Sequence, residues 1–143
     1  MPVAVKRVYE PPSLKDGERI LVDRLWPRGL TKTRAALDEW LRDLAPSDEL
    51  RRWYHARPGE WPNFRKRYLK ELSHAEAQEA LRRLYLLSRR RKRLTLLFAS
   101  KDETRNNAIV LKELLEGLRK PPTGTGPGAA YAMVRRRAAV RSR

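Results

Sequence analysis

The chain has 143 residues, 33 lysines and arginines against 17 acids, a formal charge of +16 and no cysteine. That length suits one domain in which helices cover a sheet, and is too short for two independent cores. Without cysteine there can be no disulfide framework, thiolate zinc site or cysteine nucleophile.

Val3, Val5 and Val8 alternate with polar neighbours up to Tyr9, before Pro11-Pro12, which predicts a half-buried first strand. The turn Lys15-Asp16-Gly17-Glu18 leads into RILVD at 19 to 23, an apolar run of the kind a central strand shows. The basic loop Asp23-Arg24-Leu25-Trp26-Pro27-Arg28-Gly29 follows. From Ala36 to Ala45 the residues fit either an edge strand or a short helix, since Leu37, Trp40, Leu41 and Leu44 fall at helical spacing and Pro46 ends the segment.

Ser47 before Asp48-Glu49 starts a helix to about His55, because its hydroxyl can accept an orphan N–H and acids favour the positive end of the dipole. Pro58-Gly59 breaks it, and Trp61, Phe64, Tyr68, Leu69 and Leu72 mark a second amphipathic helix. Ser73-His74-Ala75-Glu76 reads as a capping box opening a third, through Leu81, Leu84 and Leu87 into the basic run Arg89 to Arg93. LTLLFA at 94 to 99 has the continuous apolar character of a central parallel strand. Ser100 to Glu103 then turns into a helix from about Thr104 to Leu118.

These elements predict an α/β fold, a small three-layer domain over residues 1–120 with a short, mostly parallel sheet flanked by helices. Residues 121–143, with five arginines, no acid and a Pro/Gly-rich start, read as a disordered basic tail with too little apolar surface to offset the entropy of ordering. No apolar run approaches the roughly 20 residues of a membrane span. The N-terminus has no signal-peptide pattern, so a cytoplasmic protein is expected.

Parallel strands at 20–23 and 94–99 would bring two loops to one sheet edge, where open α/β folds place ligand crevices. Arg24, Trp26, Arg28 and Gly29 arrive on one loop, and Ser100, Lys101, Asp102, Arg105, Asn106 and Asn107 on the other. Cations beside a helix N-terminus suit an anion, phosphate above all. The alternative is a scaffold in which Asp23, Asp102, Arg24 and Arg105 pair with one another to close the edge, with Trp26-Pro27 as a packing corner.

Asp23 and Asp102 are the acid or base candidates if there is catalysis, and the sequence does not decide whether there is. The two histidines, His55 and His74, lack partners at metal-ligand spacing, and there is no dinucleotide, phosphate-loop or hydrolase signature. Neither metal nor cofactor is expected. Arg89 to Arg93 falls at the opposite edge, where cations complement a helix C-terminus.

VDRLWPRG at 22–29, LAPS at 44–47 followed by ELRRWY, W-x-x-F-x-x-R-Y at 61–68 and LLFASKDETRNNAIVLKELL at 96–115 resemble the YeaO-like proteins, a bacterial and archaeal domain of unknown function. The resemblance spans about residues 3 to 118 and favours a strand within 36–45. It implies that Asp23, Arg24, Trp26, Pro27, Arg28, Gly29, Lys101, Asp102, Asn106 and Asn107 are the residues to test first. The resulting expectation is a domain that binds a phosphate-bearing small molecule or nucleotide at a basic strand-end crevice. The alternative is a nucleic-acid-associated protein that binds through its basic surface and tail.

Overall fold

The structure is a computed structural model that describes residues 3–90 and 93–122. Four parallel strands, β1 (Val3–Arg7), β2 (Glu18–Leu21), β3 (Glu39–Trp40) and β4 (Leu94–Phe98), lie in the order β1-β4-β2-β3. β4 is therefore central, as its run of five buried residues requires. It pairs Val5 with Leu96 on one side and Ile20 with Leu96 on the other. The segment at 36–45 contains both of its expected forms: Glu39–Trp40 pairs with β2, and Arg42–Leu44 is a 3-10 turn.

Strand alternation splits the core unequally. Val3, Ile20, Leu94, Leu96 and Phe98 face α2 (Asp48–His55), α3 (Trp61–Glu71), α4 (Ala75–Arg90) and α5 (Asn107–Gly117) in one large cluster. Leu21 and Leu97 face the other way, toward Val8, Ala35, Trp26, Leu37 and Trp40. On that side the cover is the 22–38 segment with its single helical turn α1 (Lys32–Ala35).

The second face also holds buried charge that the strand pattern does not announce. Arg19, 4% exposed, donates to Asp16 at 2.5 Å and to the Ala35 carbonyl at 2.7 Å, while Lys6 reaches Asp16 at 3.1 Å. Gly17 makes the approach possible. Its φ of 67° suits glycine, and a Cβ there would collide with the Arg93 carbonyl that receives Glu18 N–H.

Two helix starts differ from expectation. Ser73 donates its hydroxyl to the Lys70 carbonyl at 2.6 Å, closing α3, and the first bond of α4 runs from Gln78 N–H to the His74 carbonyl. α5 begins at Asn107, because Asn106 is the cap and accepts the Ile109 N–H at 3.0 Å. Among the described residues no helix is long and apolar enough to cross a membrane.

Candidate functional site

The parallel pairing of β2 with β4 places the loops after both strands at one edge. They are joined by buried and partly buried polar contacts. Asp23 accepts the Ala99 N–H at 2.9 Å on one oxygen and Asn107 Nδ2 at 3.1 Å on the other, and the same Nδ2 donates to the Val22 carbonyl at 2.9 Å. Burial raises the Asp23 carboxyl above the ordinary carboxylate range, against these hydrogen bonds and the nearby charge of Arg51. Beneath it Tyr68, fully buried, donates to the Leu44 carbonyl at 2.5 Å. Burial drives the Tyr68 phenol well up, and the charges of Asp23 and Glu71 add to the rise.

Asp102 shapes its own loop. One of its oxygens accepts the N–H groups of Thr104 and Arg105, each at 3.0 Å, and its carbonyl takes Asn106 Nδ2 at 2.9 Å. The Thr104 N–H is the largest influence holding its carboxyl below the ordinary range. A carboxylate so held is a weak general base.

A second bridge runs outside the first. Arg7, at the end of β1, donates to the carbonyls of Ser100 and Ala99 at 2.9 and 3.1 Å and lies 5.1 Å from the Tyr9 ring centre. The Tyr9 hydroxyl donates to the Arg28 carbonyl at 2.9 Å. Arg28, Gly29, Lys101 and Arg105 are exposed around these bridges, and none of the three cations has a carboxylate within 4 Å among the described residues.

Two members of the basic loop turn elsewhere. Arg24 reaches toward the Pro46 carbonyl at 3.4 Å and lines an open groove of about 710 Å³ between the β3 segment and α4, with Trp40, Arg42 and Arg83. Trp26 packs edge-on against Trp40 at 5.4 Å and donates its indole N–H to the Leu30 carbonyl at 2.6 Å. It takes the packing-corner role. The pairing of Asp23 and Asp102 with Arg24 and Arg105 is not formed among the described residues.

The sequence reading left Arg7, Tyr9, Arg51, Tyr54 and Tyr68 out of the site. Tyr54, on α2, faces the same loop: burial raises its phenol, Asp102 adds to the rise and Arg105 opposes it. The arginine at the end of β1 was a usable signal, since a strand parallel to β4 must deliver its last residue to the same edge. Tyr68 carried none, because its place in an aromatic stripe reads as core.

Arg89 and Arg90 end α4 beside the start of β4, at the far edge of the sheet. Arg91, Lys92 and the tail from 123 onward lie outside the described residues. No group of three or more histidines, cysteines and acids that could hold a metal occurs among the described residues.

Fold and edge together define a small α/β domain with a four-stranded parallel sheet and a basic carboxyl-end rim. The chain belongs to the DUF488-N3i family, described as the inactive DUF488-N3 subclade, which it matches over residues 2–125. It is 47% identical over 118 residues to the uncharacterized protein YeaO of Escherichia coli K12, covering 82% of this chain and all of that protein. Uncharacterized proteins of Mycobacterium bovis (Mb3100c) and Mycobacterium tuberculosis H37Rv (Rv3073c) are 42% identical over 115 residues, covering 80% of this chain and 94% of theirs. No solved structure matches.

Proposed function

We propose that this domain binds a phosphate-bearing small molecule or nucleotide in the cytoplasm, at the rim made by the 24–29 and 100–107 loops. One observation carries the reading: Arg28, Lys101 and Arg105 stand exposed and, among the described residues, without carboxylate partners on two loops braced by Asp23, Asn107, Arg7 and Tyr9. Braced loops hold cations in place before an anion arrives, which lowers the ordering cost of binding. Asn106 and Asn107 serve here as supports, since their side chains are already engaged with protein groups.

The family description, an inactive subclade, favours binding over turnover. So does the state of the two aspartates, one sealed against Ala99 and Asn107 and the other held ionised by its own loop. Thermal shift against nucleotides and phosphorylated metabolites, with wild type beside Arg28→Ala and Lys101→Ala, tests the proposal. A rise in Tm that either substitution diminishes supports it. No rise with any ligand, or an equal rise in all three proteins, sinks it.

A further inference from the structure

Among the described arginines, Arg19 is ion-paired with Asp16, Arg51 with Asp48, Arg65 with Glu113 and Arg83 with Glu39. Where α2 packs against α3 the pattern is different. The guanidinium groups of Arg67 and Arg57 lie 4.1 and 5.4 Å from the centre of the Trp53 ring, and Arg57 also donates to the Trp53 carbonyl at 3.3 Å. Neither has a carboxylate within 4 Å among the described residues, and Glu60, on the same turn, is bonded to Asn63 at 2.6 Å. Arg52 and Lys70 add exposed charge to the same two helices.

We infer that the α2–α3 face, centred on Arg57 and Arg67 over Trp53, is a docking surface for the phosphodiester backbone of a nucleic-acid duplex. A guanidinium laid on an indole keeps its N–H edge available for bidentate contact with phosphate oxygens, and the ring fixes its position. Two like charges gathered on one ring repel each other, and a polyanion relieves that repulsion. Trp53 is half-buried in the core cluster and already covered by cations, so base stacking is not what it offers. Recognition is then of backbone charge, which is densest along a duplex.

An anionic membrane would use the same cations but needs apolar side chains to insert. The exposed large hydrophobics among the described residues are Tyr9, Leu14 and Leu25, none of them on α2 or α3. The cations of this surface are not those of the strand-end rim, and each proposal is tested by its own substitutions.

Fluorescence anisotropy of a labelled mixed-sequence DNA duplex with the full chain, over a series of salt concentrations, provides the test. Wild type should bind with log affinity falling linearly in log salt. Arg57→Gln with Arg67→Gln should flatten that slope by roughly 0.9 for each phosphate no longer neutralised. Arg57→Gln alone, at an exposed position, should give about half the change, and Lys112→Gln on α5 none. Arg57→Lys with Arg67→Lys should keep the slope but bind more weakly, because the planar fork is gone. No binding at low salt, a slope indifferent to both glutamine variants, or stronger dependence on these residues for a single strand or phosphatidylserine vesicles than for duplex would each overturn the inference.

Discussion

Asn107 reaches Asp23 at 3.1 Å across 84 residues of sequence, and the same amide nitrogen holds the Val22 carbonyl at 2.9 Å. One side chain at the start of α5 therefore fixes where β2 ends. Asn107→Ala leaves a buried carbonyl short of its partner and should cost about 1–3 kcal/mol in urea unfolding. Asn107→Asp should cost more, since it sets a second carboxylate against Asp23. If both variants unfold with the wild-type midpoint, Asn107 does not brace the edge.

Asp16, buried, and Asp23, partly buried, should respond oppositely to acid. Burial raises Asp23, so in the folded protein its ionisation is disfavoured relative to the unfolded chain. Its contribution is unfavourable at neutral pH and that penalty is relieved as pH falls through the folded pKa. Burial also disfavours the charge of Asp16, but bonds from Lys6, Ser13 and Arg19 outweigh it and lower the pKa. Its stabilisation is present above the unfolded pKa and is lost as pH falls through the folded one. The cost of Asp16→Asn should therefore shrink on acidification from about pH 7 to about pH 3, and the cost of Asp23→Asn should grow. Urea midpoints of the two variants and wild type over that range check both signs, and parallel curves would refute the assignment.

Arg19 is the costliest position to change on the second face. Its guanidinium serves Asp16 and the carbonyls of Ala35 and Ala36 while almost wholly buried. Truncation leaves a buried carboxylate with one cation, and Arg19→Ala should cost about 3–5 kcal/mol. Arg19→Lys keeps the charge but not the fork, and thermal unfolding should place it between alanine and wild type. A lysine variant as stable as wild type would show that charge alone matters there.

How much of this was readable in the sequence follows from what periodicity can encode. The unbroken apolar run at 94–99 and the stripes Phe64–Tyr68 and Leu81–Leu84 report burial directly, and they located β4, α3 and α4. The parallel pairing followed from strand, helix, strand order and put both basic loops at one edge. What stayed hidden was side-chain direction within those loops. Asp23, Arg24 and Trp26, close neighbours in sequence, point to Asn107, Pro46 and Trp40 respectively, and no pattern in DRLWPRG separates those fates. Arg19 looked like the flank of an apolar strand because its partner Asp16 sits in a 3-10 turn whose geometry depends on Gly17.

Trp26 and Arg28 divide the basic loop into scaffold and surface, and the division can be measured. The Trp26 ring packs on Trp40 and its N–H is held by Leu30, whereas the Arg28 side chain is exposed. Trp26→Leu should cost about 2–3 kcal/mol through poorer packing and an unpartnered carbonyl. Its Tm should nevertheless still rise on adding whichever nucleotide or phosphorylated metabolite stabilises wild type. Arg28→Ala should unfold close to the wild-type temperature and lose most of that rise. The crossed result, with stability lost at Arg28 and ligand response lost at Trp26, would mean that the indole and not the guanidinium meets the ligand.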